Sequence, residues 1–296
     1  MTYLSLKIVA LISMTIDHLG AALGTLGLDP TTYTLMRSLG RIAFPIYAFG
    51  IVNGSIHTSN KDRYFYKLAL FMPLSQIPFS MVSSYENSVA SFTLSSLGSL
   101  RIFPRENLSF FMPLVLVLVF AYIHRRNWKM VLVIALSSLM ASFYLVTSEG
   151  YVLSSPSYLN VFYTLAVGAY FIRFLDLVKE KDLRPIDLTL EVLVLVLMIL
   201  VFISTSDYGL HGLILILGIY LLKDKKPLYL AYMALWLVFV YGPGLSSYLV
   251  ISLVSVVLVA LYNGDKGKAP KALERFFYAY YPLHLWVGAI LSLVLI

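Results

Sequence analysis

The chain has no cysteine and few charges. Cysteine is absent from all 296 residues, so disulfides, thiolate metal sites and a cysteine nucleophile are excluded. Asp, Glu, Lys and Arg make up only 12%, about half the share usual in soluble domains. A soluble globule of this size needs far more polar surface than that. The formal charge of +7 therefore does not point to nucleic acid. With 59% hydrophobic residues and a mean hydropathy of +0.83, the remaining class is a multi-pass membrane protein, whose main partner is the lipid bilayer. The apolar runs do not alternate as barrel strands do, so the spans are helices.

Apolar runs of roughly span length predict an all-α transmembrane bundle of about eleven helices. They lie near 4–26, 36–56, 64–82, 109–124, 128–147, 157–178, 187–204, 207–222, 226–241, 244–262 and 275–296. Residues 1–296 are read as one domain. The first run carries Lys7, Asp17 and His18 and has no small-residue cleavage site after it, so it is read as a retained span and not a signal peptide. Alternate loops are strongly basic: Lys61, Arg63 and Lys67; Arg125, Arg126 and Lys129; Arg173, Lys179, Lys181 and Arg184; Lys223, Lys225 and Lys226; Lys266, Lys268, Lys271 and Arg275. The opposite loops hold Arg37, Arg101 and Arg105. By the positive-inside rule the basic side and the N-terminus are cytoplasmic.

Ionisable groups within spans are expensive and so need a reason. Asp17 and Arg41 are expected to pair, which could serve only to hold two helices together. Lys7 and His18 lie eleven positions apart on one helix, within about 20° of the same face and about 16 Å apart along the axis. A lysine at the cytoplasmic mouth suits a phosphate-bearing coenzyme, although a snorkelling lysine looks the same in sequence. A histidine farther in suits a general base. Arg41, Gln76, Asn160, Asp207 and His211 fall toward the outer side, while Asn53, His57 and Asn263 fall toward the cytoplasmic side. His284 follows Tyr281 and Pro282 near mid-membrane, where the proline frees a carbonyl. His124 lies in a basic loop and carries no assigned role. Neither a metal site nor a Gly-rich phosphate motif is present. The loop 83–108, rich in Ser and aromatics, is read as a lid or an acceptor-recognition element, or simply a linker.

Ordered motifs run along most of the chain: Leu6-Lys7-Ile8 to Ile16-Asp17-His18-Leu19-Gly20; Gly40-Arg41-Ile42-Ala43-Phe44-Pro45; His57-Thr58 with Asn60 and Tyr64; Ser75-Gln76-Ile77-Pro78; Leu159-Asn160-Val161-Phe162-Tyr163-Thr164; Asp207-Tyr208-Gly209 with Gly212; Tyr262-Asn263-Gly264; and Phe277-Tyr278 leading to Tyr281-Pro282-Leu283-His284. On these the chain resembles the TraX family, which includes conjugative pilin acetylases. It departs from the family's pattern by an apparent two-helix insertion near 83–150. The family in turn is similar to the acyltransferase-3 membrane enzymes, in which a basic residue and a catalytic histidine share this spacing on the first span.

The resemblance implies a bacterial inner-membrane O- or N-acetyltransferase with acetyl-CoA as co-substrate and no metal. The acyl group would pass to an extracytoplasmic acceptor, a peptide N-terminus or an envelope glycan. His18 would be the base, with Asp17 and Arg41 in the catalytic group. Arg41 or Asn160 would stabilise the oxyanion. Lys7, His57 and Asn263 would meet the coenzyme. Gln76, Asn160, Asp207, Tyr208, Tyr281 and His284 would line or support the acceptor side. Intramembrane charges and a Pro-interrupted helix also fit a transporter or channel for a small solute, and a non-enzymatic assembly factor is a third reading.

Overall fold

The computed structural model describes residues 1–24, 27–83, 94–105, 111–180 and 184–295. Its α-helices are α1 (Tyr3–Gly24), α2 (Pro30–Gly40), α3 (Ala43–His57), α4 (Lys61–Ser83), α5 (Phe111–Ile123), α6 (Trp128–Met140), α7 (Val161–Glu180), α8 (Pro185–Met198), α9 (Gly209–Leu221), α10 (Lys226–Tyr241), α11 (Ser247–Ala260) and α12 (Lys271–Leu295). The expected all-helical architecture is therefore present. Large apolar side chains such as Leu118, Leu235 and Phe239 are strongly exposed on helices whose other faces are buried, as membrane helices require.

Four stretches among the described residues are long and apolar enough to cross a bilayer: Tyr3–Gly24, Pro30–His57, Val161–Glu180 and Pro185–Ile203. Several of the other expected spans are shorter. α5 and α6 have 13 residues each, about 20 Å of helix against a hydrocarbon core of about 30 Å.

Three expected spans differ in detail. The stretch expected at 36–56 is broken at Arg41. Asp29 caps α2 by accepting from the Thr31 and Thr32 amides at 3.1 and 3.0 Å, and Pro30 begins the helix. Pro45 has no N–H to offer the Arg41 carbonyl, so α2 does not run into α3 unbroken. The span expected at 128–147 stops at Met140, and residues 143–146 form a strand instead. Three short strands, β1 (Arg101–Pro104), β2 (Phe143–Val146) and β3 (Val152–Ser154), pair antiparallel in that order. β1 lies in the Ser- and aromatic-rich loop 83–108, and β3 lies between the spans expected at 128–147 and 157–178. The third difference is a π-helical turn, Ile199–Ile203, that extends α8. In the loop 83–108, residues 84–93 and 106–108 lie outside the described residues, as does Lys181.

Packing divides the chain into two compact units, residues 1–53 with 214–296 and residues 54–213. In the first, α2 packs on α1 and α11, α12 on α1, and α10 on α11. Its core includes Leu6, Ala10, Met233, Leu237 and Leu285, each fully buried. The chain start is clasped by the loop after α11. Tyr3 and Leu4 amides donate to the Asp265 and Lys266 carbonyls at 2.8 and 3.1 Å, and the Asn263 amide donates to the Met1 carbonyl at 3.1 Å. In the second unit α4 packs on α6 and α7, and α5 on α6 and α8. Phe65, Phe120, Tyr163, Tyr170 and Phe202 fill its centre.

Candidate functional site

The first unit holds a histidine pair. His18 of α1 and His284 of α12 meet with Nδ1 to Nε2 at 2.6 Å. Their rings are nearly coplanar, 14° apart, with centroids at 4.9 Å. That separation is the N···N distance plus one ring radius at each end, so the rings lie edge to edge, in line with the hydrogen bond. His284 Nδ1 stands 2.9 Å from the Tyr280 carbonyl one turn back. The Tyr281 ring meets both imidazoles edge-on, at 5.8 Å from His18 and 5.4 Å from His284. Thr15, on the same helix as His18, shares a hydrogen bond with the Tyr280 hydroxyl at 2.8 Å. Pro282 interrupts the backbone ladder of α12, yet the helix continues through it.

Next to His18 in sequence, Asp17 faces α2. The sequence reading paired it with Arg41, but its short partner is Arg37, with Nη1 to Oδ2 at 3.0 Å against 3.9 Å from Arg41. Arg37 also donates to the Asp17 carbonyl at 3.1 Å. The sequence reading had counted Arg37 among the outer-loop cations. Its position in the last turn of α2, where the helix dipole favours a cation, was the available signal. The other carboxylate oxygen, Oδ1, packs on Gly40. A Cβ there would stand 2.2 Å from it, so only glycine allows α1 and α2 to approach this closely.

Lys7, one turn inside the start of α1, places its ammonium over the rings of Tyr3 at 4.6 Å and Phe277 at 5.7 Å. Asn263 is part of the clasp, and its side-chain oxygen accepts from the Asp265 amide at 3.2 Å. His57, Gln76, Asn160, Asp207 and Tyr208 belong to the second unit. His57 ends α3 and is exposed.

Gln76 and Asn160, both fully buried, form one amide network. Gln76 Oε1 accepts from the Asn160 backbone N–H at 3.0 Å and from its Nδ2 at 2.9 Å. The Asn160 Nδ2 also donates to the Met72 carbonyl at 2.8 Å. Gln76 Nε2 donates to the Tyr158 and Ser155 carbonyls at 3.0 and 3.2 Å. Both amide hydrogens of Asn160 are thus consumed, which removes the oxyanion role expected of it. The pair instead braces α4, loosened by Pro73 and Pro78, against the start of α7. Asp207 and Tyr208 form the turn before α9. The Asp207 amide donates to the Leu159 carbonyl at 2.7 Å, the Tyr158 hydroxyl donates to its carboxylate at 3.3 Å, and Tyr208 adopts a left-handed φ of 61°.

A second buried cluster was missed in sequence. Arg173 bonds Asp62, and its Nη1 reaches Glu191 Oε1 at 3.1 Å. The Tyr170 hydroxyl donates to Glu191 Oε2 at 2.6 Å and so accepts from His124 Nε2 at 3.1 Å. Glu191 is 2% exposed. A carboxylate inside the apolar run 187–204 was the signal that could have found it. Arg173 had been counted as a loop cation, and His124 as a residue without a role. Burial lowers the His124 pKa to about 4. Among the described residues there is no group of three or more His, Cys, Asp or Glu that could hold a metal.

No solved structure matches this chain. A probable fimbrial assembly protein (FimC, serogroup H1) of Dichelobacter nodosus is 31% identical over 81 residues, which are 27% of this chain and 32% of that protein. The chain thus spans about a third of the length of the curated relative it matches. The family model described as TraX protein matches residues 4–148 and, in a second overlapping stretch, 100–292. Taken with the apolar helical architecture, these matches cover nearly the whole sequence, and the chain belongs to the TraX family.

Proposed function

We propose that the protein is an integral membrane acyltransferase of the bacterial inner membrane, moving an acetyl group from cytoplasmic acetyl-CoA to an acceptor on the outer side. The observation that carries this reading is the His18–His284 pair, a part-buried imidazole couple between α1 and α12 beside an ion pair. An imidazole is the side chain best suited to take a proton near neutral pH. The likeness of Lys7 and His18 to the acyltransferase-3 spacing supports the same assignment.

In the proposed step His18 takes the proton of an acceptor hydroxyl or amine. The acceptor then bonds to the thioester carbonyl carbon, the C–S bond breaks, and the leaving thiolate recovers the proton from the imidazolium. No covalent enzyme intermediate is needed. Arg41 is the proposed oxyanion partner, because the Asn160 donors are spent. Lys7 is proposed to meet the coenzyme phosphates from the cytoplasm, the side to which the positive-inside rule assigns the basic loops and the N-terminus. The similarity to a fimbrial assembly protein favours a peptide N-terminus of a pilus subunit over a glycan as acceptor.

The test is release of free coenzyme thiol from acetyl-CoA by the purified protein in detergent or nanodiscs. His18→Ala and His18→Gln are expected to fold and to lose about 10²–10⁴-fold in turnover. An intact thioester with wild-type protein would leave the transporter or channel reading, and movement of a solute across reconstituted vesicles would then establish it. The relative's name also favours an assembly factor, for which neither activity is expected.

A further inference from the structure

The hydrogen bonds of the histidine pair determine where its protons are. A carbonyl oxygen can only accept, so the 2.9 Å contact between His284 Nδ1 and the Tyr280 carbonyl puts a proton on His284 Nδ1. A neutral imidazole carries one N–H, so His284 Nε2 has a lone pair and is an acceptor. Its contact with His18 Nδ1 at 2.6 Å then requires the proton to sit on His18 Nδ1. The neutral His18 ring is left with an unprotonated Nε2, and no hydrogen bond among the described residues engages that atom. The nearly coplanar, edge-to-edge rings direct the N–H along the partner's in-plane lone pair, the favourable geometry for such a bond. The opposite tautomer of His18 would set two lone pairs against each other at 2.6 Å.

From this chain of donors we infer that His284 is a positioning residue: it holds His18 in the Nδ1–H tautomer and leaves Nε2 as the atom of the pair that accepts a proton. The role in acyl transfer rests on the reading above, but the tautomer assignment does not. When Nε2 takes a proton from the acceptor, the new positive charge lies on a ring whose other N–H already donates to His284 Nε2. That bond strengthens as the charge develops, as it does for any hydrogen bond to an ionised donor. His284 in turn leans on the Tyr280 carbonyl, in the helix turn that Pro282 loosens. The Tyr280 ring, nearly parallel to that of His284, and the Tyr281 ring, edge-on to it, flank the second imidazole with centroids 5.1 and 5.4 Å away. His18 therefore needs no carboxylate to orient it, which agrees with Asp17 facing Arg37.

The assignment is testable on the full-length protein by solid-state or solution 15N spectroscopy with 15N-labelled histidine, since protonated and bare ring nitrogens resonate far apart. The His18 and His284 signals are identified by their loss in His18→Gln and His284→Gln. At a pH where the pair is neutral, Nδ1–H with bare Nε2 is expected for both rings. A wild-type His18 carrying its proton on Nε2 overturns the inference, whatever the enzymatic outcome. His284→Gln can still accept, and is expected to keep the His18 tautomer and turnover within about tenfold of wild type. His284→Lys only donates, and is expected to drive the His18 proton to Nε2 and lower kcat by about 10²–10⁴-fold, with KM for acetyl-CoA little changed. If His18 keeps its Nδ1–H tautomer in the folded Lys variant, His284 does not set it and the inference falls. If a variant does not fold, the wild-type spectrum decides alone. If wild-type protein leaves acetyl-CoA intact but shows the expected tautomers, the acyltransferase reading falls and the positioning role of His284 stands.

Discussion

Arg37 closes on Asp17 with Nη1 to Oδ2 at 3.0 Å and reaches the Asp17 carbonyl with the same nitrogen at 3.1 Å. One guanidinium thus ties both the side chain and the backbone of α1 to the last turn of α2. Arg41, at 3.9 Å from the same carboxylate oxygen, adds charge without a close bond.

Loss of Arg37 leaves the Asp17 carboxylate without its short partner. Arg37→Ala is expected to destabilise the protein by about 3 kcal/mol, the scale for breaking a buried ion pair from one side. Arg41→Ala is expected to cost clearly less. Unfolding midpoints in a fixed detergent give the order, and equal losses would contradict it.

Gly40 admits no side chain at the α1–α2 contact. Gly40→Ala puts a methyl group where Asp17 now packs, and overpacking of this kind costs about 1–3 kcal/mol or more. The variant should show a lowered thermal midpoint, and Asp17→Ala in the same chain should not recover it, because the Cβ of residue 17 itself stands 2.3 Å from the added carbon. Full stability in Gly40→Ala would mean that the helices separate readily.

The Gln76–Asn160 network is structural. Asn160→Ala removes the Nδ2 donor from the Met72 carbonyl and from Gln76 Oε1, which keeps the Asn160 backbone N–H, and is expected to cost about 1–3 kcal/mol. Activity per folded molecule should be retained. A folded Asn160→Ala protein with abolished turnover would restore the oxyanion role to this residue.

Stability should fall in mildly acidic solution on account of His124. Its pKa is lowered to about 4 in the folded protein because burial disfavours the charged ring, whereas an unfolded chain titrates near 6.5. Above about 6.5 the ring is neutral in both states and its contribution is complete. As pH falls from there toward 4 the unfolded state takes up the proton first. Stability then declines by an amount on the order of 3 kcal/mol. His124→Gln keeps a donor toward the Tyr170 hydroxyl and should flatten this part of the pH–stability curve. An unchanged slope would locate the titrating group elsewhere.

Membrane class and helix order were legible in the sequence, because long apolar runs and a shortage of charge reflect transfer into lipid residue by residue. Asp17, His18, Arg41 and His284 stood out for the same reason, since each is costly in an apolar run wherever its partner lies. Partner choice was not legible. Whether Asp17 meets Arg37 or Arg41 depends on how α1 crosses α2, and that depends on Gly40 having no Cβ at one contact. The strand at Phe143–Val146 was invisible for a related reason. An apolar run continuous with α6 reads as helix until strands from distant segments, at Arg101–Pro104 and Val152–Ser154, pair with it. His18 and His284 are separated by 265 intervening residues, and only the packing of α12 on α1 brings their rings to hydrogen-bonding distance. Composition and spacing are sums over neighbours along the chain, so they determined that these polar groups sit in apolar helices. Hydrogen bonds depend on distances in space, so tertiary structure alone decided which donor meets which acceptor.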